Sequence, residues 1–282
     1  MSTSAPAITP DGSTLERRGA RPGNRLTQLG VFRSEWTKLY SLRSTRWALF
    51  ATAITTIGFG LIACAVTVSR WSSLSAGDRA TFDPLRASLI GVRFGVLAIG
   101  VLGVMLITGE YTTGMIRSTM TAVPKRLPVL WGKAGVYALV ALALTIPAVF
   151  IAFFAGQAIL SGQHIQIAFS HAGVPAAVVG AAGYLTLVGL FAMGLGAMLR
   201  STAGGIASFA GIMFVVPPLI SILPSSVANS IDPYLPSNAG EAMMQIGHHA
   251  NTLSPGAGLA VFAGYVALVL AVAALLLIRR DV

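Results

Sequence analysis

Few residues in this chain could do acid–base, nucleophilic or ligand chemistry, and they are scattered. Charged side chains make up 10% of the 282 residues, against about 25% in an ordinary soluble domain. His248 and His249 are adjacent, so they project in different directions and make a poor metal pair. Glu241 and His248 would share a helical face, which still leaves too few ligands for a metal site. The single cysteine, Cys64, builds neither a disulfide framework nor a Cys-based zinc site and reads as a small core-filling residue. No nucleophile stands with a base. The only Gly-Lys pair, Gly132-Lys133, lacks the upstream glycine of a phosphate-binding loop. The chain is therefore expected not to be an enzyme, with no catalytic residue, no metal and no cofactor of its own. Two charges remain conspicuous: Arg93, inside an apolar run, and Glu110, just beyond the end of that run.

The elements that carry these residues are apolar. Hydrophobic residues make up 55% of the chain and the mean hydropathy is +0.77. A helix needs about 20 apolar residues to cross the hydrocarbon, and six runs qualify: 47–68, 88–108, 131–160, 174–199, 203–223 and 257–278. The predicted fold is an all-α polytopic membrane protein. None of the six runs, so bounded, contains Asp or Glu, whereas ion-driven transporters place ionisable or unwound polar groups at mid-membrane.

The net charge of +10 does not read as a nucleic-acid footprint, because the basic residues gather at one set of run ends. With the N-terminus inside, the inner segments hold Arg17, Arg18, Arg21, Arg25, Arg33, Lys38, Arg43 and Arg46, then Arg117, Lys125, Arg126 and Lys133, then Arg200, and finally Arg279 and Arg280. The outer segments hold only Arg70, Arg79 and Arg86. Lys and Arg favour cytoplasmic loops, so both termini are expected in the cytoplasm and the protein in the cell membrane. A signal peptide is not expected, since the first run starts well into the chain and is too long for one. Residues 1–24, rich in Ser, Pro, Gly, Thr and Arg, are expected to form a disordered cytoplasmic tail.

Between tail and first run, residues 25–46 read as an amphipathic helix on the inner leaflet. Leu29, Phe32, Trp36, Leu39 and Tyr40 form one apolar stripe, while Arg33, Lys38 and Arg43 occupy other faces. Trp36 and Trp47 suit the headgroup region. Arg93 lies about 6 Å inside the outer end of the second run at 1.5 Å per residue, where it either snorkels outward or serves an outer gate. The fifth run places Gly204, Ser208 and Gly211 on one small-residue face, suited to close packing within the chain or against another subunit. Pro217 and Pro218 should kink or end that helix. In the outer segment 224–256, Met243, Met244 and Ile246 suggest a short helix dipping toward the membrane.

The stretch GEYTTGMIRSTMTAVPKR, 109–126, interrupts this apolar pattern on the cytoplasmic side. It carries Thr112, Thr113, Ser118, Thr119 and Thr121 among Tyr111, Met115, Ile116 and Met120. That mixture of hydroxyls and apolar groups suits docking into a protein groove. A short helix is expected before Pro124. At a helix C-terminus the carboxylate of Glu110 is disfavoured by roughly 0.3–1 kcal/mol and should find a cation among Arg117, Arg126 and Lys133; alternatively the helix continues past it.

Two stretches, RSEWTKLYSLRSTRW (33–47) and TGEYTTGMIRSTMTAVPKRLPVLWGK (108–133), resemble the membrane subunits of type-2 ABC transporters, particularly actinobacterial ones. The resemblance runs from about Leu29 to the C-terminus. It implies that 25–46 is a connecting helix beside an ATPase, with Phe32, Glu35, Trp36, Lys38 and Leu39 on it, and that the segment after the second span is a coupling helix inserted into a cleft of that ATPase. Glu110, Tyr111, Thr112, Gly114, Ile116, Arg117 and Thr119 would sit at or near the contact, and Pro124, Arg126 and Lys133 would set the return into the third span. Spans two and five would face a second permease copy and line the pathway; Arg93, which matches no feature of the family, and Gly204, Ser208 and Gly211 are possible pathway or gate residues by their own placement. The expected partners are an ABC ATPase holding ATP and Mg, a second copy of the chain in a homodimer, and the bilayer; nucleic acid is not expected. The expectation is thus an exporter permease without a P-loop or ion-coupling groups of its own, driven by a separate ATPase. The rival is a stand-alone channel or an immunity protein that needs none.

Overall fold

The computed structural model describes residues 43–114, 126–247 and 251–279, together with Gly30, residues 32–34, Trp36 and Thr37. The expected tail, the coupling positions Ile116, Arg117 and Thr119, the connecting-helix positions Glu35, Lys38 and Leu39, Pro124, and His248 and His249 lie outside the described residues. Every regular element among the described residues is helical.

Helix α1 is Arg43–Arg70, α2 Ala76–Ala80, α3 Pro84–Leu89, α4 Gly91–Thr112, α5 Arg126–Leu160 and α6 Val174–Leu199. Helix α7 runs from Thr202 to Ile220 through a π turn at Gly211–Val215, and is followed by α8 Ser225–Ile231, α9 Pro236–Ala242 and α10 Pro255–Arg279. Six spans, α1, α3–α4, α5, α6, α7 and α10, are long and apolar enough to cross a membrane. Each overlaps one expected run, and the first three extend about a turn beyond it, because a helix continues until a cap or a turn stops it rather than where hydropathy falls. The Asp83 carboxylate accepts the amides of Leu85 and Arg86 and starts α3 at Pro84. Arg200, in the left-handed region at φ 53, ends α6, and the Ser201 hydroxyl then caps α7.

Pro217 does not stop α7, contrary to one of the two expected outcomes. It lacks an amide hydrogen and its ring crowds the carbonyl four residues back, which belongs to Met213 in the π turn. The turn widens there and the helix resumes over Val216–Ile220.

Helices α4 and α6 form the middle of the bundle. The best apolar windows of the second and fourth spans are 61% and 67% buried, against 17% for α7. Water does not drive apolar helices together inside lipid, so close packing must do it. A Cβ at Gly103 would lie 2.1 Å from the Gly189 carbonyl oxygen, so the α4–α6 crossing exists only with glycine there. Tyr137 of α5 closes the same junction, its hydroxyl donating to the Ile99 carbonyl at 3.1 Å. At Gly91 a Cβ would lie 1.9 Å from the Thr56 carbonyl oxygen, so α1 and α4 touch backbone to backbone. Gln157, a polar residue within the third run, donates to the Pro84 carbonyl at 3.0 Å and the Ser88 hydroxyl at 3.1 Å, and accepts from the Ile167 amide at 2.9 Å. It knots the end of α5 to α3 and to the connection before α6.

Candidate functional site

Two sets of polar contacts stand at opposite ends of the bundle. The first surrounds the last turns of α4, where Arg43, Lys133, Arg200 and Arg279 mark the basic end. Helix α4 continues past Glu110 to Thr112, so the expected continuation is what occurs, and the second span does contain an acidic residue. The Lys133 ammonium donates to Glu110 Oε1 at 3.0 Å, with the two side chains 3% and 8% exposed. Of the three expected cations, Lys133 thus makes a pair with it. Ile107, Val129, Leu130, Ala197, Ala273 and Leu277 enclose the pair around a cavity of about 10 Å³, room for about one water. At the next residue, the Arg200 guanidinium lies over the Tyr111 ring, 5.4 Å from its centre. The Thr202 hydroxyl donates to the Thr108 hydroxyl at 2.8 Å. These three contacts tie the end of α4 to the start of α5 and to the α6–α7 hairpin.

The chain leaves this collar at Gly114, whose φ of 71 ends the helix. The Thr112 and Thr113 hydroxyls both donate to the Gly109 carbonyl, at 3.0 and 2.8 Å, so these donors serve their own helix while the side chains remain exposed. Glu110 is buried and faces Lys133, not the surface. Phe32 of the expected connecting helix packs against Gly135 of α5, and Trp36 is exposed.

The second set stands at the other end. Arg93 neither simply snorkels nor stands alone: its guanidinium is ion-paired with Glu241 of α9. Helix α9 is seated by backbone contacts. A Cβ on Gly240 would lie 2.0 Å from the Tyr184 ring, and one on Gly258 would lie 2.4 Å from the Ala239 carbonyl oxygen. It ends at Ala242, so Met243, Met244 and Ile246 follow the helix rather than form it, a correction to the sequence expectation; all three still pack on the core. On one side of the Arg93–Glu241 pair is a cleft of about 420 Å³ between α4 and α7, walled by Phe94, Leu97, Met213, Phe214 and Pro217, with Tyr184 behind. On the other is a cleft of about 400 Å³ with Thr81, Asp83, Arg86 and Gln245 beside Leu89, Ile90 and Met244.

The small residues of α7 sort differently from expectation. The close approach within the chain is made by Gly205, whose Cβ would lie 2.7 Å from Val104 Cγ1. Gly211 has nothing within 4 Å, Gly204 has only Ser201 and Leu199 of its own hairpin, and Ser208 donates to the Gly205 carbonyl. Gly204, Ser208 and Gly211 thus share the less buried face of α7.

Glu241, Arg200 and Thr202 were not singled out as members of either set. Arg93 was the available signal for Glu241, since an arginine inside a span seeks a carboxylate on its own side of the membrane. Among the described residues no group of three His, Cys, Asp or Glu side chains could hold a metal ion, and Cys64 is a buried thiol. In comparisons of the sequence with protein-family models and with curated proteins, no match is found.

Proposed function

We propose that the chain is the permease subunit of an ABC-2 type exporter, with both termini and residues 113–125 on the cytoplasmic side. A separate ATPase binds ATP and Mg and grips residues 113–125, and two permease copies form the pathway. The observation that carries this reading is the collar around Glu110. A segment that receives force is useful only if its root is stiff, and here the root is bound to α5 and to the α6–α7 hairpin. Nucleotide-driven displacement of residues 113–125 then moves α4, α5 and α7 together as packed elements. Glu110 and Lys133 are positioning residues in this account, while Thr112 and Gly114 lie next to the docking segment. The cleft between α4 and α7 gives cargo a place at the far end. The low burial of α7 leaves a face for the second copy.

Orientation is tested with a cysteine at Thr113, the native thiol being buried. A membrane-impermeant maleimide applied to intact cells should not label Thr113→Cys, and should label it after permeabilisation. Labelling of intact cells overturns the reading. Coupling is tested by co-purification with a candidate ABC ATPase, using Ile116→Asp. Loss of the complex and of ATP-dependent transport is expected; survival of both, or cargo movement by the purified chain alone, favours a stand-alone channel.

A further inference from the structure

The two clefts beside α4 share their dividing wall, the Arg93–Glu241 pair, and differ in character on either side of it. One is mainly apolar, between Phe94 and Leu97 of α4 and Met213 and Phe214 of α7, with Ser237 and Asn238 of α9 also in its wall. The other has mixed walls, Leu89, Ile90 and Met244 beside Asp83, Gln245 and a second guanidinium, Arg86. Each has the size of a small-molecule site, which spans roughly 300–1,000 Å³. An apolar slot joined to a charged pocket is the shape complement of an amphiphile.

The sign of the headgroup follows from which charges are already engaged. Asp83 accepts the amides of Leu85 and Arg86 as the cap of α3, and Glu241 is paired with Arg93. Arg86 is exposed and makes no ion pair among the described residues. Both acids therefore already accept from a donor, whereas no donor of the Arg86 guanidinium is engaged among the described residues. The Arg93 side chain is 43% exposed, so an incoming anion can reach it and replace Glu241. Helix α9 holds its place through the backbone contacts at Gly240 and Gly258, so the loss of that pair does not unseat it.

We infer that the paired clefts bind an anionic amphiphile, its headgroup on Arg86 and Arg93 and its apolar body between α4 and α7. As a statement about cargo this rests on the exporter reading; the binding itself does not. A chain that binds the amphiphile and fails to associate with an ATPase loses the exporter reading and keeps the site.

The test is scintillation-proximity binding of tritiated dodecyl phosphate to the purified full chain in a neutral maltoside detergent, with no ATPase present. Saturable binding is expected, displaced by unlabelled dodecyl phosphate and at least about ten-fold less well by inorganic phosphate or by dodecyltrimethylammonium. Arg86→Gln and Arg93→Gln should each weaken binding about ten-fold, the scale of one charge-assisted hydrogen bond. Glu241→Gln should tighten it several-fold by releasing Arg93, which a purely structural ion pair would not do. Displacement by a two-chain phosphatidylglycerol marks bilayer lipid as a source of the headgroup, and its failure marks a single-chain cargo; both support the site. The inference is overturned by absence of saturable binding to the wild-type chain, by equal competition from inorganic phosphate or the trimethylammonium amphiphile, or by weaker binding in Glu241→Gln. The competition arms use wild-type protein and so stand even where a variant fails to fold.

Discussion

The bundle carries a carboxylate–cation pair near each end, and the two pairs are built for opposite tasks. Glu110 and Lys133 are almost wholly buried, both on spanning helices, inside a pocket with room for about one water. Arg93 and Glu241 sit between two clefts, 43% and 24% exposed. Removing either partner of a buried pair strands a charge in a low-dielectric interior and costs roughly 3–5 kcal/mol. A pair flanked by open clefts gives up less than a buried one, about 0–1 kcal/mol where water reaches it. The same chemistry therefore locks one end and leaves the other exchangeable. What allows the exchange is glycine packing: α9 is held by backbone contacts, so its carboxylate is not needed as a fastener.

The contrast is broken most directly at the buried pair. Lys133→Met alone should cost roughly 3–5 kcal/mol, read as a large fall in thermal unfolding temperature in detergent or as loss of folded protein. Lys133→Met combined with Glu110→Met should recover most of that loss, because the carboxylate is removed together with this cation; an equally unstable double variant would mean that the collar is held by something else. Next in size is Gly240→Ala. Its Cβ would collide with the Tyr184 ring, so roughly 1–3 kcal/mol of overpacking is expected, together with displacement of Glu241 from Arg93. A neutral result would remove the backbone seat from the argument. Tyr111→Leu should cost about 0.5–1 kcal/mol through loss of the Arg200 contact, measured in the same unfolding assay. The smallest effect belongs to Glu241→Gln, within about 1 kcal/mol. A shift in stability between low and high salt should shrink in that variant, since only the exposed pair is screened.

The six spans were legible because a continuous apolar run of about 20 residues satisfies its backbone in lipid as a helix, and hydropathy records the length. The charge on Glu110 was legible as a problem needing a cation, and Lys133 was among the three answers offered. The pairing of Arg93 was not legible. Glu241 lies 148 residues away in the chain, within a segment whose hydrophobic pattern suggested only a dipping helix. The face of α7 was half legible: its small residues were visible, but Gly205 rather than Gly204, Ser208 or Gly211 makes the approach to α4. Small residues two positions either side of a contact look alike in a list of residue types, and a helix rotation of one residue exchanges them.

By itself the sequence determined how many apolar spans the described residues form, roughly where each begins, and that its cations collect at one set of helix ends. Those properties depend on local composition and on the solvent around each segment. The tertiary structure alone decided which charges meet, which glycines touch another backbone, and which two helices leave a cleft between them. Each of those outcomes depends on the rotation and crossing of elements distant in the chain, and neither composition nor spacing records it.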